Sequence, residues 1–410
     1  MPDNTDISYK GMVKSMSQCV SCKGRGFCGR PTCPILRRLE QAAALPKIGR
    51  SMEGFTPPEV FVGWHGYPAV RAGPMMPADQ ESHARADLIG LDVGEIIALR
   101  SSMVRSEARV DVKDARHPGK LLEAAQDIAM SSMPVGAEVS FLKEPSGNLR
   151  FDGVLSPTGP SAPLSSVKIT TNPVVPRKVD QFVEDRMVTA ADAVSDLFSS
   201  SIDIDHISRL LSLGLLGQKR KLVPTRWSIT ASDDMAGKSL IQSVLDKPLI
   251  EKYQLYSGEV LGNHFEVLLM PEVYFFELIE IWMPRSVWSE DGYIGSDREG
   301  PLEKKGYSPL AGGYYAARLA VLEHLASIGR QASVLAVREI TPAYWAPLGV
   351  WVVREAARQA MSCQPKRFGT LAEAMSGMEE RVKTPSGRWK GSSKLISAPV
   401  QTSLLSFLQS

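Results

Sequence analysis

The chain has 410 residues, of which 43% are hydrophobic and 22% charged, and its formal net charge is +2. This length supports a sizeable hydrophobic core and two or more domains, and the composition excludes a disordered or fibrous protein. The small net charge does not by itself imply a nucleic-acid partner. No run reaches the roughly 18 apolar residues of a membrane span, and the polar start is unlike a secretory signal. We therefore expect an intracellular protein without a membrane partner.

Charge is unevenly distributed along the chain. Residues 1–50 carry nine Lys or Arg residues against three acidic residues, and residues 381–410 carry five against none. Basic ends of this kind can attract phosphate. Solvated tails produce the same pattern, so both interpretations stay open.

The first motif is a cluster of cysteines. Four of the five cysteines follow the spacing C-x2-C-x5-C-x4-C, namely Cys19, Cys22, Cys28 and Cys33. In a reducing compartment this density predicts a metal site rather than disulfides. Four thiolates favour a structural zinc knuckle, although an iron–sulfur cluster would accept the same ligands. Two basic residues inside the knuckle, Arg25 and Arg30, are candidate nucleic-acid contacts.

Residues 51–160 predict an N-terminal α/β part. Two short strands surround a Gly-rich turn at 63–68, helices fall at 94–102 and 118–131, and strands fall at 107–112 and 135–142. A phosphate-binding loop is one hypothesis for the turn. It would make the protein a nucleotide- or RNA-processing enzyme with a pocket lined by His65, Arg71 and Arg100. Exposed charge and an ordinary loop histidine are the alternative. The Pro- and Ser-rich run 156–166 predicts an internal linker.

From residue 179 onward the pattern is mainly helical, with a Thr-capped helix at 189–198 and another at 205–214. The next segment holds the densest chemistry of the interior. Basic and aromatic residues lie together in it, namely Lys219, Arg220, Arg226 and Trp227. Basic residues beside an exposed aromatic are how proteins hold a single strand or a flipped base. These four residues are therefore candidate DNA contacts.

Paired carboxylates follow at Asp233 and Asp234, where a short strand at 228–230 is predicted to give way to a helix at 235–245. A hairpin of strands 259–270 and 273–282 would place His264 and Glu266 on one face. If these four residues converge, they could hold Mg²⁺ for a metal-dependent nuclease or phosphodiesterase. A helix N-cap and a cross-strand polar pair are the alternatives.

The last elements are a helix at 308–329, a strand at 334–340 and helices at 348–361 and 371–382. Residues 384–400 are rich in Ser, Gly, Pro and Lys and predict a flexible linker. Beyond it, a helical turn would place Leu404 and Phe407 on one face, with Leu408 beside them. A short apolar segment after a flexible polar linker is typical of a peptide that docks in a partner's groove. An ordinary terminal helix is the alternative.

This terminal pattern resembles the PCNA-interacting peptide of sliding-clamp clients. In that family the Gln, here Gln401, fills a polar pocket, and the apolar residues fill a hydrophobic one. Leu408 stands where many such motifs have a second aromatic residue, which predicts a weaker clamp contact.

Three features, in this order, resemble the archaeal Nre family of DNA-repair proteins: the cysteine knuckle, the segment 224–234 (PTRWSITASDD) and the terminal peptide. The segment 60–68 (VFVGWHGYP) is similar to that family too. The resemblance implies a role in DNA repair at the nucleoid, with DNA and the sliding clamp PCNA as partners. It implies that Zn²⁺ is bound by Cys19, Cys22, Cys28 and Cys33, and that the clamp contacts are Gln401, Leu404, Phe407 and Leu408. It supplies no catalytic residues, so whether the protein is an enzyme stays open.

These patterns together predict a mixed α/β (α+β) fold in five parts. The parts are a basic segment with the zinc knuckle (1–50), an N-terminal α/β part (51–160), a C-terminal α/β part (161–383), a flexible linker (384–400) and the clamp-binding peptide (401–408).

Overall fold

The computed structural model describes residues 47–78, 88–146, 159–286, 289, 291–302, 304 and 306–397, together with Cys33, Leu36 and Glu40. These residues form a mixed α/β fold with two six-stranded sheets, which confirms the predicted fold class. The chain divides into two compact units. The N-terminal unit takes the described residues up to Ser239 and Trp345–Trp351, and the C-terminal unit takes Leu240–Tyr344 and the described residues from Val352.

The N-terminal unit is built on a sheet with the strand order β1-β5-β6-β4-β3-β2. Its strands are β1 (Ser51–Thr56), β2 (Val60–Val62), β3 (Ala69–Pro77), β4 (Met103–Asp111), β5 (Val135–Phe141) and β6 (Ser161–Ile169). All neighbouring pairs are antiparallel except β4 and β6, which run parallel. Side chains alternate between the two faces of a strand. Val70 of β3, Val104 of β4 and Val139 of β5 are on buried positions of this alternation and are fully buried.

Six helices of this part of the chain are described, namely α1 (Val93–Ser101), α2 (Lys120–Met130), α3 (Arg177–Glu184), α4 (Ala190–Ser199), α5 (Ile204–Ser212) and α6 (Thr225–Leu245). Helix α2 buries Leu122, Ala125 and Ile128, as its apolar spacing predicts. Gly119 rather than Pro118 is the residue that precedes its first turn. Thr189 caps α4 by accepting a hydrogen bond from the Asp192 amide, as predicted.

The predicted linker at 156–166 is wrong where the structure describes it. Strand β6 begins at Ser161 and pairs with both β4 and β5. Its alternating residues Ala162 and Leu164 are buried in the core. Their burial stabilises a strand despite the Pro- and Ser-rich composition of the segment. The boundary between the units accordingly falls between Ser239 and Leu240, within α6, and not at 160/161.

The C-terminal unit contains the second sheet, in the order β10-β9-β11-β8-β7-β12. Its strands are β7 (Tyr253–Val260), β8 (Asn263–Met270), β9 (Phe275–Trp282), β10 (Tyr293–Glu299), β11 (Ser333–Ile340) and β12 (Lys366–Phe368). The predicted hairpin of 259–270 with 273–282 is wrong, because β11 lies between β8 and β9 and pairs with both. Leu261 and Gly262 have φ values of 50° and 75°. Positive φ at both central residues suits a tight hairpin turn, and here that turn joins β7 to β8.

Five further helices are described here, namely α7 (Gly312–Ile328), α8 (Trp351–Ser362), α9 (Leu371–Glu379), α10 (Ser386–Trp389) and α11 (Lys394–Ser397). Helix α7 ends at Gly329, which has the left-handed conformation that suits a C-terminal glycine. One face of the sheet packs against Met375, Met378 and Trp389 from the last helices. No helix in the described ranges is long and apolar enough to cross a membrane.

The predicted flexible linker at 384–400 is also wrong as far as Ser397. Two short helices and a 3-10 turn (Lys390–Ser392) occupy this stretch. The Trp389 side chain is fully buried, and its Nε1 donates to the Thr384 carbonyl at 3.2 Å. A single aromatic among polar residues leaves no periodic pattern, yet it docks the stretch on the sheet.

Two buried glutamates of the sheet hold this stretch in place. Glu339 accepts hydrogen bonds from the Lys383 amide at 3.0 Å and from the amide and hydroxyl of Thr384 at 2.7 and 2.6 Å. Glu277 accepts from the Ser393 hydroxyl at 2.5 Å and from the next two amides at 2.8 and 3.1 Å. Charge-assisted bonds offset the cost of burying each carboxylate. We call this arrangement the carboxylate anchor.

Candidate nucleic-acid interface

The turn at residues 63–68 joins β2 to β3, as the sequence predicts. The Gly63 amide donates to the Arg71 carbonyl at 2.7 Å, and the Ala69 amide donates to the Gly66 carbonyl at 2.9 Å. Gly66 has a φ of +81°, and a Cβ there would lie 2.9 Å from the Ala69 carbonyl oxygen. Both the conformation and the space therefore require glycine at this position.

The first turn of α6 lies against this loop. Helix α6 follows Pro224, and the Thr225 hydroxyl accepts a hydrogen bond from the Val62 amide at 2.8 Å. The Val112 amide donates to the Pro68 carbonyl at 3.0 Å, and the Leu222 amide donates to the Val112 carbonyl at 2.8 Å. Backbone bonds thus tie the turn, the end of β4 and the residues before α6 into one support.

Five side chains meet on this support, and we call them the aromatic surface: Trp64, His65, Tyr67, Arg226 and Trp227. The rings of Trp64 and His65 stack with centroids 3.7 Å apart, and the Arg226 guanidinium lies 5.5 Å from the centre of the Trp64 ring. The rings of Tyr67 and Trp227 are 6.1 Å apart. Tyr67 is 51% exposed and Trp227 48% exposed. Neighbouring aromatics left half in water typically mark a binding surface.

Cations lie on the segments whose backbone bonds support the aromatic surface. Four exposed residues of the adjoining segments form a basic rim: Lys113, Arg116, Lys219 and Lys221. Arg116 donates to the Gln218 carbonyl at 3.2 Å. Two acidic residues accompany them, but Asp111 and Asp114 accept hydrogen bonds from backbone amides in a capping box. Lys219 therefore stays a candidate DNA contact, at an exposed position.

Arg220 is different from the other predicted contacts. Its side chain is buried, and it donates to the carbonyls of Gly217 at 3.3 Å, Val183 at 2.5 Å and Asp185 at 3.1 Å. Burial also lowers the pKa of Arg220. Because its donors are used inside the unit, its assignment as a DNA contact is wrong, and the residue holds the α3–α4 connection.

The carboxylates Asp233 and Asp234 lie within the continuous helix α6. The predicted strand at 228–230 and the N-cap alternative are therefore both wrong. Asp233 is fully buried. Asp234 pairs with Lys238, one turn further along, at 3.1 Å. The helix begins ten residues earlier than predicted, because Pro224 and Thr225 supply its start.

His264 and Glu266 share one face of β8, as the alternation predicts, with His264 Nε2 3.0 Å from Glu266 Oε1. Glu266 is fully buried and accepts from the Ser257 hydroxyl at 2.5 Å, and Arg381 lies 3.8 Å from its other oxygen. Within the described ranges, no three or more His, Cys, Asp or Glu side chains are placed to hold a metal ion. The Mg²⁺ site that the phosphodiesterase hypothesis requires is not assembled there.

A pocket lined by His65, Arg71 and Arg100 would support the nucleotide-enzyme hypothesis. A cleft of about 450 Å³ in the N-terminal unit contains Arg71, but its lining includes neither of the other two. Arg71 pairs with Glu107 at 2.5 Å, and the Arg100 guanidinium lies 5.7 Å from the centre of the Trp351 ring. This cleft is therefore not the predicted pocket.

Several predicted site residues lie outside the described residues and stay predictions. They are Cys19, Cys22, Arg25, Cys28, Arg30, Gln401, Leu404, Phe407 and Leu408. The remaining predicted zinc ligand, Cys33, is described and is half-buried.

The sequence did not indicate that Trp64, His65 and Tyr67 join Arg226 and Trp227. The two segments are more than 150 residues apart, and hydrogen bonds between residues distant in the chain bring them together. One sequence feature could have linked the two segments. Both carry the family resemblance, and both contain aromatic residues beside Gly or Pro.

Comparison with known proteins agrees with the resemblance. The family model described as "Archaeal Nre, N-terminal" matches residues 27–289, and "Archaeal Nre, C-terminal" matches residues 299–407. The DNA repair protein NreA of Archaeoglobus fulgidus is 40% identical over 394 residues, which is 95% of this chain and 98% of that protein. The DNA repair protein NreB of the same organism is 35% identical over 95% of this chain and all of that protein.

A third relative, the DNA repair protein NreA of Haloferax volcanii, is 34% identical over 88% of this chain and 89% of that protein. No solved structure matches the chain. Two family models that together span most of the sequence, and relatives aligned over nearly their whole length, show that the chain belongs to the archaeal Nre family.

Proposed function

We propose that this protein is a DNA-repair factor that binds DNA through the aromatic surface and is recruited by the sliding clamp PCNA through residues 401–408. The observation that carries the proposal is the pairing of half-exposed Tyr67 and Trp227 beside Arg226 on a rigid support. The relatives named as DNA repair proteins support the same role.

The surface suits DNA on physical grounds. Phosphates need cations, which the basic rim and Arg226 supply, and base faces gain energy by stacking on aromatic rings. Arg226 forms no ion pair with a carboxylate in the described part of the chain. Its charge is therefore available to a phosphate as well as to the Trp64 ring.

Recruitment by the clamp rests on the spacing of Gln401, Leu404 and Phe407. The carboxylate anchor supports it indirectly, because the folded chain is held as far as Ser397 and the peptide follows within four residues. Four residues span at most about 14 Å. A clamp bound to the peptide would therefore lie near the C-terminal unit.

The zinc knuckle completes the proposal as a structural element. Zn²⁺ held by Cys19, Cys22, Cys28 and Cys33 would stabilise a basic segment that includes Arg25 and Arg30. Metal content of the full chain and of Cys22→Ser, measured by mass spectrometry, tests this part. Equal zinc in both proteins would remove the assignment.

The test of recruitment is calorimetric titration of the sliding clamp with the full chain and with a chain that ends at Pro399. We expect binding by the full chain and none by the shortened chain. Equal binding by both would show that residues 401–408 are not the recruitment peptide. DNA binding by the shortened chain is measured in parallel and should be unchanged, because the aromatic surface remains.

A further inference from the structure

We infer that the aromatic surface binds unpaired nucleotides, with bases of a single strand stacked on Tyr67 and Trp227. The inference rests on the proposed function, because it names the form of DNA that this surface takes. It is carried by the geometry of the two rings, by the hydrogen bonds that hold their backbone segments and by the exposed cations of the adjoining segments.

The two rings keep their faces available. Their centroids are 6.1 Å apart and their planes are tilted by 52°, so the rings are not stacked face to face on each other. Each residue is also about half exposed to solvent. Every base has a π-face that can stack on such a ring regardless of sequence.

Duplex DNA cannot use these faces without a cost. Inside a duplex, both faces of each base are already covered by its neighbours, and opening one base step costs a few kcal/mol. An unpaired base has already lost its pairing partner and much of its stacking, so it pays least. A surface that binds mainly through exposed aromatic rings should therefore have a higher affinity for single-stranded DNA than for duplex DNA.

The support beneath the rings is rigid, which lowers the entropy lost on binding. Tyr67 sits in a turn closed by the hydrogen bond from Ala69 to Gly66, and Trp227 sits in the first turn of α6, where its amide donates to Pro224 at 2.7 Å. The Trp64–His65 stack and the Arg226 guanidinium above it fill the adjoining space.

Charge argues for a polyanion rather than an apolar peptide. The exposed basic rim lies on segments that are hydrogen-bonded to the turn of Tyr67 and to each other, and its two neighbouring acids already accept backbone hydrogen bonds. A groove for an apolar helix would instead present aliphatic side chains. A backbone of phosphates can lie along these cations while its bases turn toward the rings.

The test compares a single-stranded oligothymidylate of about 16 nucleotides with a duplex of the same length, by fluorescence anisotropy with the full chain. We expect the single strand to bind more tightly. Trp227→Ala should weaken single-strand binding by about 5- to 150-fold, in line with about 1–3 kcal/mol per stacked base, and should weaken duplex binding by a clearly smaller factor. Trp227→Phe should restore most of the lost affinity.

Tyr293→Ala is the matched control, because Tyr293 is 53% exposed but lies in the C-terminal unit. It should leave both affinities unchanged, and circular dichroism confirms that each variant folds. Equal or tighter binding to the duplex, or an equal loss for both DNAs in Trp227→Ala, overturns the inference while DNA binding itself stands. If the full chain binds neither DNA, the proposed function fails at this surface.

Discussion

The carboxylate anchor and the aromatic surface use opposite strategies. In the anchor, Glu277 and Glu339 are 1% and 0% exposed, and the hydrogen bonds they accept hold a segment in place. In the aromatic surface, large rings and cations remain in water on a rigid support. Polar residues whose partners lie inside the fold stabilise it, whereas aromatic rings that cluster at the surface are available to a partner.

The same criterion separates residues that looked alike in the sequence. Arg220 and Arg226 are six positions apart in one basic segment. Arg220 is buried against three carbonyls, while Arg226 lies over an aromatic ring at a half-exposed position. Of these two arginines, only Arg226 is partly exposed and has its guanidinium at the aromatic surface.

Among changes to the carboxylate anchor and its segment, Trp389→Ala should lower the free energy of unfolding most. The side chain is fully buried in the core of the C-terminal unit, and removing a buried tryptophan costs about 3–5 kcal/mol. We expect a loss of that size in the free energy of unfolding, measured by urea denaturation. Trp227→Ala, which truncates an exposed tryptophan, should change stability by less than about 0.5 kcal/mol. Equal losses in the two variants would contradict the comparison.

His206 is a buried polar residue of a third kind, because the cost of burying its charged form is not fully offset by nearby groups. It is 5% exposed, and burial, helped by the nearby Arg209 charge, lowers the pKa of His206 from 6.5 to about 4. The unfolded chain therefore takes up a proton between these values while the folded chain does not. Stability should be complete above about pH 6.5 and should fall by up to about 3 kcal/mol as the pH drops to about 4.

The measurement for His206 is the free energy of unfolding by urea at a series of pH values between 4 and 7, which brackets the two pKa values. His206→Leu removes the titrating group and should flatten the curve over this interval. A wild-type curve that keeps the same shape in the variant would assign the pH dependence to other residues.

A milder change to the anchor is Glu277→Gln. The amide keeps one acceptor oxygen, but its NH2 group replaces either the oxygen that accepts from Lys394 or the oxygen that accepts from Ser393 and Leu395. We expect a loss of about 1–3 kcal/mol in the free energy of unfolding. Hydrogen exchange should also become faster in residues 386–397. The control is Glu272→Gln at an exposed position, where neither quantity should change.

Much of the local structure followed from the sequence. The Gly-rich turn at 63–68, the buried face of α2 and the helix that ends at Gly329 were all predicted, because breakers and apolar spacing act over a few residues. The exposed pair Arg226–Trp227 was also identified as a candidate contact. Its partners in the aromatic surface were not, since they come from a distant strand connection.

The tertiary structure decided what local patterns could not. Strand β11 enters between β8 and β9, and no property of either neighbour encodes that insertion. Residues 384–397 have the composition of a linker, yet Trp389 and the two glutamates of the sheet fold them onto the C-terminal unit. In both places the stabilising contacts join residues far apart in the chain. Composition and periodicity therefore determined the helices and strands, while packing and buried hydrogen bonds determined which of them lie together.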